Sequence, residues 1–473
     1  MFIQRSFLNP YYFLILTLSI IDTGLQAQDV FFTTGFKVSE VSDQEAIIWT
    51  RLCAQKEPNG IRHDRKEKVF RHPINFDENQ PVEQMDGAVK GIEGYVRAIL
   101  QHGSKKRISR WVRALKENDF TVQIPFKKLK ANTNYQLILE AKLTSDGSVV
   151  STSGSFRTAP GKKSAAPVHF TTSTCQYFWS YDDKERGFKT YDQMDSIHPD
   201  FFVQTGDYVY YDKPGPLAKT PEAARHKWHA MDSRLSLKDF YKRTPIYMVK
   251  DDHDLLSNDV HPKSKNYGDL SFDNDLKIWR ENAAIKDKPY RTFRWGKDLQ
   301  IWLVEGREYR DAGLPDNGDS QSILGAKQIA WLKSTIKASD ATFKVLLSAT
   351  PIVGPDRKNK KDNHANKTFE AEGTWLREYL SKEQNLFVIC GDRHWQYVSQ
   401  DDETGLMEFG SGPVSDAHVQ GWKPNDKRPE HKYLGLIGGF LGVKVFRKSK
   451  RPTIAFTHYD VNGQVAHQEI FYQ

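Results

Sequence analysis

Five short apolar runs recur between residues 168 and 390, and each is followed at once by residues suited to binding cations or phosphate. The clearest spans residues 201–203 and is followed by Asp207, with Tyr210 three residues later. Short, continuously apolar runs are typical of strands buried on both faces in a parallel sheet. Open α/β sheets bind ligands at the carboxyl ends of such strands, so the pattern predicts one polar site built from distant segments.

The other four apolar runs are also followed by polar side chains that can bind cations or phosphate. They are 168–174 with Cys175 and Gln176; 246–249 with Asp251, Asp252, His253, Asp254, Asn258 and Asp259; 299–304 with Glu305, Arg307, Tyr309 and Arg310; and 386–390 with Asp392, Arg393 and His394. Carboxylates brought this close repel one another and are costly to bury, so a multivalent cation is expected among them. Carboxylate and amide oxygens suit hard ions such as calcium, whereas a thiolate with a phenolate suits iron. Two ions about 3.5–4 Å apart commonly support in-line attack at phosphorus.

The sequence pattern changes near residue 167, which predicts two domains of different class. Beyond it, apolar strands alternate with amphipathic helices, expected at about 325–338 and 374–380, as in βαβ units. Residues 28–160 instead show strand-like alternation, a hairpin turn at Asp146-Gly147 and a polar insertion at about 54–91. We therefore expect an immunoglobulin- or fibronectin-like β-sandwich over 28–160, followed by an α/β domain over 167–473.

The amino-terminal residues predict export. An apolar stretch follows Arg5 and ends before Leu25-Gln26-Ala27, a small-residue cleavage pattern. We expect a signal peptide over residues 1–27, no transmembrane segment in the mature chain, and a periplasmic or extracellular location. The net charge of +8 is scattered and carries no nucleic-acid-binding motif.

Three cysteines leave at least one free thiol. Cys390 falls in the apolar run 386–390 and is expected in the core, and Cys53 is expected to be a structural residue of the β-sandwich. Cys175 could also be a buried apolar residue, but its place beside Asp207 and Tyr210 in the strand-end pattern favours a metal ligand.

Several sequence blocks together resemble the alkaline phosphatase D (PhoD-like) family of metallophosphoesterases. They are Thr174-Cys-Gln, Gly206-Asp-Tyr-Val-Tyr-Tyr-Asp212, Asp251-Asp-His-Asp with Asn258-Asp259, Leu324-Gly-Ala-Lys-Gln with Trp331-Leu332, Thr350-Pro with Gly354-Pro-Asp-Arg357, Asp362-Asn-His-Ala-Asn366, and Gly391-Asp-Arg-His-Trp395. The blocks occur in the family's order from about residue 30 to the end. The resemblance implies a metallophosphatase-like β-sheet sandwich flanked by helices, behind an amino-terminal β-sandwich.

The resemblance also implies a set of metal ligands. Cys175, Asp207 and Tyr210 would hold Fe³⁺, and Asp207 would bridge to Ca²⁺, which Asn258 and Asp392 would also bind. A dinuclear or trinuclear site is compatible with the pattern, and other divalent metals remain open.

The predicted catalytic residues are Asp252, His253, His394 and Arg393. The two histidines match positions for ligation or acid catalysis, and Arg393 is a candidate for stabilising the oxyanion.

The residues expected to contact substrate are Arg307, Tyr309, Arg310 and His364. The two arginines and His364 have simpler alternatives, because the arginines could pair with carboxylates and His364 could be solvated in a polar loop.

The sequence departs from the family pattern at three places. Lys250 stands where the family usually has tryptophan, Glu305-Gly306 replaces an aspartate and its neighbour, and the leader lacks twin arginines. The first two departures concern substrate and metal preference more than the reaction type.

The predicted function is a secreted, monomeric, metal-dependent phosphoesterase. It would hydrolyse phosphomonoesters or phosphodiesters, as small molecules or polymers, by in-line attack of a metal-bound hydroxide or oxide. One alternative is a phospholipase D-like phosphodiesterase acting on lipid or cell-wall polymers. The other is a catalytically degenerate protein that binds the cell envelope.

Overall fold

The structure is a computed structural model that describes residues 29–67, 71–286, 288–312, 321–357 and 359–473. The predicted signal peptide, residues 1–27, lies outside these ranges. Among the described residues, no helix combines the length and apolar character needed to cross a bilayer.

The described residues form 21 strands and six α-helices. The strands are β1 (Phe36–Ser39), β2 (Ala46–Arg51), β3 (Gly94–His102), β4 (Lys105–Ile108), β5 (Val112–Ala114), β6 (Thr121–Phe126), β7 (Asn134–Lys142), β8 (Val150–Arg157), β9 (Val168–Ser173), β10 (Phe201–Thr205), β11 (Ile246–Val249), β12 (Arg291–Trp295), β13 (Leu299–Leu303), β14 (Phe343–Ser348), β15 (Leu386–Cys390), β16 (Gln396–Gln400), β17 (Met407–Ser411), β18 (His431–Gly435), β19 (Phe440–Lys448), β20 (Arg451–Tyr459) and β21 (Val465–Tyr472). The helices are α1 (Lys189–Ser196), α2 (Pro221–Asp232), α3 (Leu235–Tyr241), α4 (Phe272–Ala283), α5 (Gly325–Lys337) and α6 (Glu370–Ser381). Helices α2 and α4 begin where the side chains of Thr220 and Ser271 cap the first turn.

The strands build two large mixed sheets and one smaller sheet. The nine-stranded sheet has the order β21-β20-β19-β9-β10-β11-β1-β2-β6, and the seven-stranded sheet has the order β12-β13-β14-β15-β17-β16-β18. Strands β9, β10 and β11 are parallel neighbours, as are β13, β14 and β15. The five-stranded sheet has the order β4-β3-β7-β8, with β5 paired to β3.

Alternating side chains pack the two large sheets face to face, with helices outside. Phe201 and Val203 of β10 share one buried core with Val345 of β14, while Phe202 points the other way and contacts Phe240 of α3. Leu346 of β14 likewise faces outward, toward the cluster formed by α5 and α6. This period-two pattern follows from strand geometry, because successive side chains project to opposite faces. The predicted mixed α/β class is confirmed.

The amino-terminal region differs from the separate sandwich that the sequence predicts. Strand β1 pairs in parallel with β11 and antiparallel with β2, so β1, β2 and β6 extend the nine-stranded sheet. Val96 and Leu137, from the five-stranded sheet, belong to the same buried core as Phe201. The immunoglobulin-like domain is therefore not confirmed, and the boundaries near residues 160 and 167 remain predictions.

Candidate metal centre

The carboxyl ends of parallel strands from both large sheets meet at one edge. Gly391, after β15, lies so close to β10 that a Cβ atom built on it would be 2.1 Å from the carbonyl oxygen of Thr205. Gly206, after β10, leaves only 2.6 Å between such an atom and the Cβ of Asp251. Any side chain at either glycine would separate the strand ends. The two glycines therefore allow polar residues from different sheets to converge.

Three of the converging residues have a left-handed backbone. Cys175, Asp207 and Asp392 have φ angles of 54°, 58° and 59°, and each follows a strand within two residues. Non-glycine residues are uncommon in this region, and those that adopt it cluster at functional sites. Asp254 holds the turn at Asp207, because its carboxylate accepts hydrogen bonds from the backbone N–H groups of Asp207 at 2.9 Å and Val209 at 3.0 Å.

One side of the centre contains sulfur, phenol and imidazole. Asp207 Oδ2 lies 3.4 Å from Cys175 Sγ and accepts a hydrogen bond from the hydroxyl of Tyr210 at 2.9 Å. Cys175, Asp207 and His394 each offer a ligand atom, and these three atoms lie within 4.8 Å of one another. A thiolate, a phenolate and an imidazole around one carboxylate suit a Lewis-acidic transition metal.

The other side of the centre contains mainly carboxylates. Asp207 forms a second close group with Asp252 and His253, and a third with Asp251 and Asp392, again within 4.8 Å. Asp207 is thus common to all three groups found in the described residues. A carboxylate with two oxygens at this position can be shared between two cations.

Two buried arginines border the carboxylates. Arg307 donates from Nε to Asp251 Oδ1 at 2.6 Å, and its Nη2 lies 3.6 Å from Asp252 Oδ1. Arg393 pairs with Asp392, and its Nη1 lies 3.2 Å from Asp356 Oδ1. Both guanidinium groups neutralise part of the acidic charge from outside the centre.

The acidic groups of the centre that the arginines do not neutralise have the properties of cation ligands. Burial, together with Asp252, Asp254 and Asp392, raises the pKa of Asp207 to about 8, although His253 opposes this shift. Burial also raises the pKa of Asp251 well above its usual range. Among described residues, Asp207 Oδ1, Asp251 Oδ2 and Asp252 Oδ1 have no hydrogen-bond partner. A multivalent cation would neutralise these groups and occupy their free lone pairs.

The two predicted catalytic histidines have opposite environments. Although burial opposes it, the charges of Asp252, Asp212 and Asp207 raise the pKa of His253 to about 10, and its Nδ1 lies 2.7 Å from Asp212 Oδ1. For His394, burial and two neighbouring histidines lower the pKa well below its usual range. A neutral imidazole can ligate a metal, whereas a protonated one can act as an acid.

The predicted substrate residues and Asn258 lie around the centre. Arg307 is fully buried against Asp251, and Arg310 donates to the carbonyl oxygen of Asp362 at 2.6 Å. His364 is buried, with its Nε2 2.8 Å from Glu372 Oε1, in place of the solvated position that was its alternative. Tyr309 and Asn258 are exposed, and the backbone N–H of Asn258 donates to Asp212 at 3.3 Å.

Several residues at the centre escape the sequence analysis. His418 contacts Tyr210, Asp212 contacts His253, and Lys360 lies between Asp259 Oδ1 at 3.4 Å and Asp362 Oδ2 at 3.2 Å. None of the three follows a strand directly, so the strand-end rule passes over them. Of the three, Asp212 is the residue that the sequence could have identified, because it is the last residue of the Gly206–Asp212 motif.

The two departures from the family pattern contact each other. Lys250 Nζ donates to Glu305 Oε2 at 2.7 Å and to Glu308 Oε1 at 2.6 Å; Lys250 and Glu305 are buried, and Glu308 is partly buried. Lys250 also lies 4.3 Å from the ring centre of Trp279. Lys250 and Glu305, the two residues that differ from the family pattern, therefore neutralise each other's charge next to the centre.

Comparisons with known proteins agree on one fold. A solved structure described as PhoD superposes with a TM-score of 0.69 at 16% identity, covering 93% of this chain and 90% of that one. A purple acid phosphatase from yellow lupin (Lupinus luteus) seeds superposes with a TM-score of 0.62 at 10% identity, covering 92% of this chain and 74% of that one. At these identities the two similarities establish the fold alone. The comparison with curated proteins finds no match.

The family profile described as PhoD-like phosphatase matches residues 170–435, which is more than half of the 473-residue chain. This range includes every strand end that contributes to the centre, from Cys175 to His394. The profile and the fold together indicate a hydrolase of phosphoric esters. The chain belongs to the PhoD-like phosphatase family.

Proposed function

We propose that the protein is an exported phosphoesterase that uses iron on the Cys175 side of the centre and calcium, or another hard divalent ion, on the carboxylate side. The observation that carries the proposal is that Asp207 belongs to all three close groups of potential ligands. On this basis Cys175, Asp207, Tyr210 and His394 would hold the iron. Asp207, Asp252 and Asp392 would hold the second ion, and Asn258 stays a predicted further ligand of that ion.

When bound, the two ions would polarise a phosphoryl oxygen and supply an activated water for in-line attack. His253 is tied through Nδ1 to Asp212, so Nε2 can carry the proton that a leaving alkoxide needs. Arg393 holds Asp392, and Arg307 holds Asp251, so both act by positioning carboxylates. The substrate contact of Arg307 and the oxyanion contact of Arg393 expected from the sequence stay predictions.

Partly exposed lysines support an anionic substrate. The side chains of Lys213 and Lys360 are 20% and 21% exposed, and they lie beside Asp212 and Asp362 at the rim of the centre. Positive charge at the mouth of an acidic site raises the local concentration of anions. We expect phosphomonoesters and phosphodiesters to enter along this rim.

The proposal is tested by assaying the purified protein with p-nitrophenyl phosphate and bis-p-nitrophenyl phosphate, before and after EDTA treatment. We expect hydrolysis of at least one substrate, loss of activity with EDTA, and recovery on adding iron together with calcium. Elemental analysis of the native protein should detect both metals. Activity that resists exhaustive removal of metals would contradict the proposal.

Export rests on the pattern over residues 1–27 and is tested separately. Fractionation of cells that express the full chain should recover the protein outside the cytoplasm, with an amino terminus near Gln28. An intact amino terminus in the cytoplasmic fraction would contradict it.

A further inference from the structure

An extended segment after β17 crosses the sulfur and phenol side of the centre. We define the strap as residues 418–422. It begins where a short helical turn ends at His418, and Val419 then adopts an extended backbone with φ −68° and ψ 121°. Two residues of the strap, His418 and Gln420, contact candidate ligands, and Trp422 packs beside them on Trp395.

His418 fixes the orientation of Tyr210. Its Nε2 lies 2.9 Å from the hydroxyl oxygen of Tyr210, and that hydroxyl also lies 2.9 Å from Asp207 Oδ2. A phenol has a single proton to donate. If that proton goes to Asp207, the contact is satisfied when His418 donates its Nε2–H to the phenol oxygen. Nδ1 can then accept from the hydroxyl of Ser180, 3.4 Å away.

Gln420 contacts the other ligand candidate on this side. Its Nε2 lies 3.2 Å from His394 Nδ1, and its backbone N–H donates to the carbonyl oxygen of His394 at 3.4 Å. Because Nδ1 contacts Gln420, Nε2 is the ring nitrogen that can bind a metal together with Cys175 and Asp207. A side-chain amide can present either its oxygen or its nitrogen, so Gln420 can support His394 in either tautomer.

The far end of the strap is anchored by packing. Trp422 packs on Trp395 with ring centres 5.0 Å apart, and its Nε1 donates to the carbonyl oxygen of Asp426 at 2.8 Å. Gly421 has φ +93°, and a Cβ built there would lie 2.9 Å from an arginine nitrogen, Arg357 Nη1. The strap is therefore anchored beside the turn between β15 and β16, which carries His394 and Trp395.

We propose that the strap positions Tyr210 and His394 for the metal on the sulfur side of the centre, with His418 and Gln420 as positioning residues. The inference rests on the proposed function, because it assumes that these two residues are ligands. Hydrogen-bond partners of ligands fix their orientation, and losing one commonly lowers metal affinity by about 10–100-fold.

The test measures iron binding rather than turnover. Protein stripped with EDTA is reloaded with iron, and affinity is measured by competition with a chelator, together with the visible absorption of an iron–tyrosinate pair. We expect His418→Phe, which removes the donor, to lower iron affinity by about 10–100-fold and to shift the absorption band. His418→Gln restores a donor near the Nε2 position and should recover much of the affinity. Gln420→Ala should also weaken binding, through His394.

His458→Gln is the matched control. His458 is also fully buried, and its Nε2 lies 3.0 Å from the carbonyl oxygen of Gly410 instead of a candidate ligand. Iron affinity in this control should equal that of the wild type. Circular dichroism establishes that each variant folds. If His418→Phe does not fold, the partly exposed Gln420 decides the question through Gln420→Ala.

The outcomes separate this inference from the proposed function. Wild-type iron affinity and absorption in the folded His418→Phe variant would overturn the positioning role while leaving phosphoesterase activity intact. The same conclusion follows if His418→Gln is as impaired as His418→Phe. A wild-type protein that hydrolyses no phosphoester and binds no iron would overturn both.

Discussion

Asp207 combines three unfavourable features at one position. It is a fully buried acid, its backbone is left-handed with φ 58°, and its Oδ1 has no hydrogen-bond partner among the described residues. Each feature costs free energy in a folded protein. A cation offsets the electrostatic part of this cost, so the residue is best understood as built for the metal-loaded state.

Asp207→Asn should therefore separate function from stability. We expect the variant to lose bound metal and roughly 1,000-fold in kcat/KM, since metal ions supply several kcal/mol of transition-state stabilisation. In EDTA its free energy of unfolding should equal or exceed that of the wild type, because the amide removes repulsion with Asp252.

Elemental analysis, phosphatase assay and urea unfolding measure the three effects. Asp195→Asn, at a partly exposed acid paired with Arg243, is the control and should retain activity. Normal metal content in Asp207→Asn would contradict the shared-ligand assignment.

Asp275 allows a pH-dependent prediction away from the centre. Burial raises the pKa of this α4 side chain to about 8, and neither carboxylate oxygen has a partner within the described part of the chain. The folded state then keeps a proton that the unfolded state releases above its ordinary pKa near 4. Stability from this group is present at low pH and falls by up to about 1.4 kcal/mol per unit as pH rises toward 8.

Asp275→Asn removes this dependence. The variant should gain stability relative to the wild type, and the gain should be larger at pH 8 than at pH 5, as measured by urea unfolding. Asp273→Asn, at an exposed position of the same helix, should show no such difference. An equal effect of Asp275→Asn at both pH values would mean that Asp275 is already ionised in the folded protein.

The positions of Asp207 and Asp392 at strand ends could be predicted, because the local sequence determines where each buried strand ends. An apolar run followed by Asp207 or Asp392 identifies both the strand and the polar group that it presents. His418 and Gln420 could not be found this way, because they lie in an irregular segment and their contacts with Tyr210 and His394 span long sequence separations. Which residues such a segment meets depends on the whole fold.

At the scale of elements, buried strands were the most predictable part of the chain. Strands β11 and β15 occupy the predicted residues 246–249 and 386–390, and helix α5 ends one residue before the expected position. Helix α6 begins four residues earlier than expected, at Glu370. The pairing of β1 with β11 was not predicted, since strand partners depend on packing between distant segments rather than on local preference.

The pair between Lys250, after β11, and Glu305, after β13, makes a testable link between the two large sheets. Lys250→Met should destabilise the protein by about 3–5 kcal/mol, because it leaves Glu305 buried without its cation, whereas Glu308 keeps its ion pair with Arg280. Adding Glu305→Gln should recover a large part of this loss, as measured by urea unfolding in a double-mutant cycle. The exposed pair of Lys242 and Asp239 is the control, and Lys242→Met should cost less than about 1 kcal/mol. Additive effects of Lys250→Met and Glu305→Gln would show that the pair is not coupled.

At the scale of the whole molecule, the hydrophobic core crosses the predicted domain boundary. One cluster includes Phe36 and Leu137 from the amino-terminal region, Val203 and Val345 from the two large sheets, and Phe456 near the carboxyl end. Domains that fold independently have separate cores joined through smaller interfaces. A shared core implies that the amino-terminal strands and the catalytic strands stabilise each other.

The shared core predicts one cooperative unfolding transition for the protein. Leu137→Ala, in β7, and Leu347→Ala, in β14, each remove a fully buried side chain of this shared cluster and should cost about 2–5 kcal/mol. Because the core is continuous, both variants should shift the same single transition in scanning calorimetry, with no second peak. Independent domains would instead give two transitions, with Leu137→Ala lowering only one of them and Leu347→Ala only the other. That result would restore the separate amino-terminal sandwich, and the contacts of β1 with β11 would then be a docking interface and not part of the fold's core.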